Sequence, residues 1–322
     1  MIFSQLVLGD AGSEVSELHR RLETLGFIST PSGVVYDDET AQAVSEFQRS
    51  RGLDADGTCS PQTWRALIEA EHQFGDRPLY LTSPMLRGDD VANLQLRLGT
   101  LGFNAGRVDG IFGPSTQTAL KEFQRNVDLI VDGVCARDTI SQLDRLASRG
   151  PTISIAGIRE RESLRSRSKE LAGLRVSVCH QSSDSVLPGA LGADLHLAEA
   201  VVAISTDPDW STLAALTNAF EADVCIALEI TEAAGLDIAY FGTNGFESEA
   251  GRLLAEELLR QLPHPPGWGP GVSHGMRLPI LRETRCPTVR LRVGPAADLS
   301  ELHSLIVAAA HRSIRSWVDS AN

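Results

Sequence analysis

Among the side chains able to hold a metal or move a proton, His180, His196, Glu199 and Glu229 form the set whose types fit a zinc site. His196 and Glu199 are three residues apart and would share a face of one helix. Joined by His180 and Glu229, they would supply the nitrogen and oxygen donors of a tetrahedral centre, which in a hydrolytic site keeps one position open to water. An acidic chain with eight histidines produces such pairs readily, so the chemistry depends on the fold bringing all four together. Cys179 stands beside His180 and could suggest a thiol nucleophile with its base. Neighbours in a strand point to opposite faces, however, so a buried structural cysteine is the expectation. A further set of carboxylates lies in two Asp-Gly turns, Asp109-Gly110 and Asp132-Gly133, where an aspartate can close its own loop through an Asx bond.

The elements that position these residues begin with a repeat. Val15, Leu18, Leu22, Leu25, Gly26 and Phe27 recur 76 residues later as Val91, Leu94, Leu98, Leu101, Gly102 and Phe103, and the register holds through Phe47-Gln48 and Phe123-Gln124 to Leu67 and Leu143. Apolar residues at i, i+3, i+7 and i+10 put one buried face on each helix. Each unit reads as three helices, the first ending where Gly26 or Gly102 turns left-handed and the last of the first unit starting at Ser60-Pro61. From residue 147 to 170 the chain is rich in Arg and Ser and reads as a linker, in which Ser163, Ser166 and Ser168 among arginines could be kinase targets, a solvated linker being the blander expectation. Beyond it, β-rich runs at 174–179, 224–228, 238–241, 277–281 and 288–293 alternate with helical stretches at 193–203, 210–220, 247–261 and 299–318, a pattern that predicts a sheet covered by helices.

Composition bounds the rest. At 322 residues, 42% hydrophobic and 22% charged, the chain is expected to fold as two or three globular domains with no membrane span. The net charge of −13, without a sustained basic stripe, argues against nucleic acid as a partner. Five cysteines with no CxxC pair suit free buried thiols, and the N-terminus lacks the marks of a signal peptide, so a cytoplasmic location is expected.

The second unit, through Gly88-Asp89-Asp90-Val91, Leu101-Gly102-Phe103, Asp109-Gly110-Ile111-Phe112-Gly113-Pro114, Thr116, Phe123-Gln124 and Asp132-Gly133, resembles the peptidoglycan-binding repeat of bacterial wall hydrolases. The first unit departs from it at Gly33-Val34. The resemblance implies a shallow glycan or stem-peptide groove around Asp109, Gly110, Phe112, Thr116 and Asp132, with Phe112 facing the ligand; core and turn duties are the competing reading of the same residues.

Residues 171–322, through Leu216 to Ile226 and Leu281 to Leu291, resemble a zinc-dependent N-acetylmuramoyl-L-alanine amidase. The expected architecture is multidomain: two all-α three-helix peptidoglycan-binding bundles (1–72 and 73–146), the linker, and an α/β amidase-like domain with a mixed sheet flanked by helices (171–322). That family holds zinc with two histidines and a glutamate and uses a second glutamate for proton transfer. The aligned positions here carry Ser182, Gly192, Glu229 and Arg292. Only 204–209 separates the helix expected to end near Ala203 from Trp210, too little for the extra strand of active relatives, so a smaller sheet is expected. These departures imply a pseudoenzyme without catalytic residues, metal or cofactor, one that binds a cell-wall synthesis protein or a peptidoglycan fragment or precursor and regulates wall synthesis. Two alternatives stand beside it: an active amidase whose zinc has moved to His180, His196, Glu199 and Glu229, and an exported wall-binding protein.

Overall fold

The computed structural model describes residues 5–28, 33–147, 170–182, 186–243 and 246–320. The linker serines Ser163, Ser166 and Ser168 lie outside them. Contacts divide the chain into two units, residues 1–158 and 159–322.

The first unit is helical: α1 (Ser13–Thr24), α2 (Asp38–Ser50), α3 (Pro61–Glu71), α4 (Asp89–Thr100), α5 (Pro114–Asn126) and α6 (Arg137–Ala147). The local chemistry dictates the breaks. Gly26 (φ 79°) and Gly102 (φ 98°) turn left-handed, letting Phe27 N–H and Phe103 N–H reach back to the Leu22 and Leu98 carbonyls. Asp37 and Ser60 cap α2 and α3 by accepting from Thr40 N–H and Thr63 N–H. Each repeat has its own core, around Leu18, Leu22, Phe47 and Leu67 in one and Leu94, Leu98, Phe123 and Leu143 in the other. The two cores even repeat an edge-to-face ring pair, Phe27 on Phe47 at 5.4 Å and Phe103 on Phe123 at 5.6 Å.

The second unit runs β1 (Arg175–His180), α7 (Val186–Leu197), β2 (Val201–Thr206), α8 (Trp210–Ala219), β3 (Val224–Ile230), β4 (Gly235–Thr243), β5 (Phe246–Glu247), α9 (Glu249–Gln261), β6 (Val272–Met276), α10 (Pro279–Glu283), β7 (Thr288–Gly294) and α11 (Ala296–Ser320). The sheet is mixed, in the order β2-β1-β3-β7-β4, with β5 and β6 both against β4. The β1–β2, β1–β3, β3–β7 and β4–β6 pairs are parallel and β4–β7 is antiparallel. Side chains alternate across it. Val176, Val178, Ile226, Leu228, Val289 and Leu291 join the apolar core under α7, α9 and α11. Their neighbours Ser177, Cys179, Cys225, Glu229, Arg290 and Arg292 occupy the opposite face, where α8 and α10 pack.

Three expectations need correction here. The helix near 193–203 spans Val186–Leu197 instead, and Val201–Thr206 is a strand, because the β-branched run Val201-Val202-Ala203-Ile204 favours a pleated edge over a helix tail. No strand forms at 277–281: β6 ends at Met276, and Pro279 opens α10 at its first position.

Candidate functional site

Four polar knots organise the helical unit. In the second repeat, Gln95 Nε2 on α4 donates to Asp109 Oδ1 (2.8 Å), the Ile111 carbonyl (3.1 Å) and Thr116 Oγ1 (3.2 Å), while its Oε1 accepts from Gly110 N–H (2.8 Å). Gln124 on α5 makes the same four bonds with Asp132, Val134, Thr139 and Gly133, and Gln48 on α2 makes them with Asp56, Thr58, Thr63 and Gly57. A buried amide with both donors and its acceptor satisfied locks two chain segments together, and losing it would strand several groups at once. At the fourth place His19 stands where Gln95 stands in the other repeat, with Nε2 2.8 Å from Thr40 Oγ1 and Nδ1 3.2 Å from the Gly33 carbonyl. That histidine explains how the first repeat tolerates Gly33 without the aspartate of the motif.

Three of the five expected groove residues therefore serve the interior. Phe112 is fully buried in the core rather than facing a ligand, and Thr116 and Gly110 are buried inside the Gln95 knot. Asp109 and Asp132 close their own turns, accepting from Ile111 N–H (2.8 Å) and Val134 N–H (2.9 Å). The exposed apolar groups beside these turns are ones the sequence reading missed. Tyr80 (45% exposed) follows Leu79, which is bridged to Cys135, and Met85 (43% exposed) lies against Gly113. The loop that carries them is tied to the 109–116 turn by the Arg87–Ile111 bridge. An exposed aromatic ring on a loop bridged to the turn is a surface on which a sugar face can stack.

In the second unit the sheet edge at the ends of β1, β3 and β7 carries a charged network. Arg290, fully buried, reaches Glu229 (3.3 Å) and Asp237 (3.1 Å); Arg292 reaches Asp237 at 2.5 Å, and His274 Nδ1 lies 3.5 Å from the same carboxylate. The strand register explains this: Glu229 pairs with Arg292 and Asp237 with Arg292 across the central strand, so opposite charges face one another. Beside it, Thr231, residues 233–237, Trp268, 270–272 and Arg292 line a cleft of about 420 Å³. The loop 264–271 serves there as a rigid connector, since Trp268 is buried and its Nε1 donates to Asp298 Oδ2 (3.1 Å).

The relocated zinc set is not brought together. His180 ends β1, buried, with Nδ1 donating to the Ser182 carbonyl (2.8 Å), and Glu229 lies near the same edge at the end of β3. His196 and Glu199 are exposed at the far end of α7, which runs back along the sheet, and the Glu199 carbonyl accepts from Gly173 N–H at the start of β1. Strands of six residues separate the two pairs by roughly 15–20 Å. Among the described residues no three His, Cys, Asp or Glu converge on an ion. At the positions the amidase resemblance assigns to zinc chemistry, Ser182 follows β1, Gly192 packs under Ile204 and Val202, and Arg292 presents a cation. This donor set does not fit zinc. Cys179 is buried against Thr217 (3.3 Å) and Cys225 (3.9 Å), and the Cys225–Cys179 hydrogen bond, together with burial, pushes the Cys225 thiol well up.

A helical unit of two knotted repeats and a mixed sheet flanked by helices define the class, a tandem-repeat helical module followed by an α/β domain. Comparison with known proteins agrees. Residues 11–67 and 87–143 each match the family described as a putative peptidoglycan binding domain. The chain is 35% identical to a Mycobacterium tuberculosis protein named N-acetylmuramoyl-L-alanine amidase CwlM, over 89% of this chain and 80% of the relative. It is 31% identical to one from Bacillus licheniformis named N-acetylmuramoyl-L-alanine amidase CwlL, over 43% and 44% of the two. The solved amidase Ami1 of Mycobacterium smegmatis aligns with 99% of its own chain and 47% of this one, at 14% identity and a TM-score of 0.39. The chain belongs to the N-acetylmuramoyl-L-alanine amidase family. That membership corrects the expectation that it is no enzyme: the relatives are named for the enzyme, and the family is an enzymatic one.

Proposed function

We propose that this protein recognises a peptidoglycan fragment or precursor through its second repeat and, by that binding, regulates cell-wall synthesis in the cytoplasm. The observation that carries the reading is the second repeat itself, whose two knots fix the 109–116 and 132–139 turns and leave Tyr80 and Met85 exposed beside them. Five buried free thiols suit a reducing compartment. Recognition of this kind calls for no metal or cofactor. The charged sheet edge, with Arg292 on the wall of its cleft, offers a second place where a protein partner or an anionic precursor could be read.

A second reading is hydrolysis of the amide bond for which the relatives are named, and the match over 89% of the chain favours it. One experiment separates the two. The full chain is titrated calorimetrically with a soluble muropeptide, and the same mixture, with and without added zinc, is assayed for newly released L-alanine amino groups. Saturable binding that Tyr80→Ala weakens, with no release, supports recognition. Release of amino groups would establish hydrolysis instead, and absence of both binding and release would remove both readings.

A further inference from the structure

We propose that the cleft between the C-terminal half of α11 and the entry to β1 binds a zwitterionic small molecule, an α-amino acid with an apolar side chain. The cleft holds about 360 Å³ and lies within the second unit, at the opposite end of β1 from the charged edge. Backbone bonds fix its walls: Leu174 N–H donates to the Leu171 carbonyl (3.0 Å), and Gly173 N–H donates to the Glu199 carbonyl just beyond α7 (2.9 Å). Leu171, Ala198 and Val318 give it an apolar lining. His311 and Arg315 of α11 reach the same cleft, four residues apart and so one above the other on one face of the helix. There His311 Nδ1 ties α11 to α7 by donating to Asp194 Oδ2 (2.5 Å).

Two polar groups in this cleft are left over. A carboxylate only accepts, so Nδ1 carries the hydrogen of the neutral His311 ring and Nε2 is an acceptor, with no partner among the described residues. Arg315 likewise makes no hydrogen bond or ion pair among the described residues. An uncommitted guanidinium beside apolar surface selects a carboxylate. The imidazole acceptor one helical turn away, at about 5–6 Å between Cβ atoms, selects a donor. An ammonium and a carboxylate on one carbon span that turn and satisfy both groups together. Glu170 and Asp319 on the rim add negative potential, which favours the ammonium end and disfavours a dianion such as a phosphate ester. Volume sets the size: small-molecule sites run from roughly 300 to 1,000 Å³, so this one accommodates a single amino acid with its side chain on Leu171, Ala198 and Val318, not a sugar–peptide fragment. The site is thus independent of recognition by the second repeat.

The test is calorimetric titration of the full chain with L-leucine, L-valine and L-isoleucine, with the amide and the N-acetyl derivative of each as probes that lack one charge, and with Arg315→Ala alongside. Arg315 is exposed, so the circular dichroism melt of that variant without ligand is expected to match the parent. Saturable binding of at least one of the three is expected, weakened about tenfold or more by either derivative and by Arg315→Ala, through loss of a hydrogen-bonded charge. The muropeptide titration of the same variant is expected to stay as in the parent. Absence of binding by all three up to about 10 mM, roughly the weakest affinity of a specific site for a ligand of this size, overturns the proposal. Binding that Arg315→Ala leaves intact overturns it too. An N-acetyl derivative that binds as tightly as its parent amino acid would make this a plain carboxylate site and equally overturn it.

Discussion

The Asp132 carboxylate accepts from the Val134 amide and from the Gln124 side chain, and these bonds hold its pKa below the usual aspartate range. Because the folded value lies below the unfolded one, near 3.9, the stability it contributes is fully present above that pH and is lost as pH falls through the folded pKa. Asp132→Asn is therefore expected to lower the urea midpoint at pH 7, with its difference from the parent shrinking as pH falls from about 4 through the lowered folded pKa, where the parent carboxylate also becomes neutral. A difference that stays undiminished once the native carboxylate is protonated would show that the side chain acts through shape and not charge. The sequence made the Asp-Gly turns legible, since an aspartate before a glycine closes its own loop. It did not reveal that Phe112 faces inward or that Gln48, Gln95 and Gln124 tie the loops to the helices. A signal was there to be used: each Phe-Gln pair stands eight residues before its Asp-Gly, and a buried amide needs partners of that kind. The Arg290 network was hidden for another reason. A charge within a β-rich run reads as an outward face, and only the pairing with β3 and β4 shows that Glu229 and Asp237 are set against it.

At the level of elements, the helix pattern of the repeats was readable because apolar spacing, caps and left-handed glycines all agreed. The second unit was harder, since short buried strands and helix ends share the same apolar residues. Thus Ala193 to Ala203 read as one helix, whereas Glu199 turns left-handed (φ 65°) and ends it, releasing β2. Gly192 gains its meaning from that strand. A Cβ added there would come within 2.6 Å of Ile204 Cδ1 and 3.5 Å of Val202 Cγ1, so β2 fills the space above α7 that a larger side chain would need. Gly192→Glu, which restores the residue the amidase resemblance implies, is expected to destabilise the chain by about 1–3 kcal/mol through overpacking, despite the better helix propensity of glutamate. Chemical denaturation would show it as a lower midpoint at unchanged slope. An unchanged midpoint would mean that Ile204 swings aside at no cost and that the position is open to a side chain after all.

For the whole molecule, both repeat cores close within the first unit: one draws on residues from Leu6 to Ala70, the other on residues from Leu79 to Leu143. An ion pair from Arg51 to Asp89 joins them. Every described residue of either core lies within the first unit, so a fragment of residues 1–147 is expected to fold by itself, with a helical circular dichroism spectrum and a cooperative melt. If the second repeat is the recognition site, that fragment should bind soluble muropeptide as tightly as the full chain does. The acidic balance of the chain adds a condition. Attraction between a net charge of −13 and the carboxylates of a stem peptide cannot drive the contact, so binding by ring stacking and hydrogen bonds should hold or strengthen as salt screens the repulsion. Fragment and full chain binding alike, with affinity that does not fall between low and physiological salt, would place recognition in the repeats. A fragment that folds but does not bind would move it to the charged edge of the sheet, where Arg290 and Arg292 are the cations, and affinity would then fall steeply as salt is added.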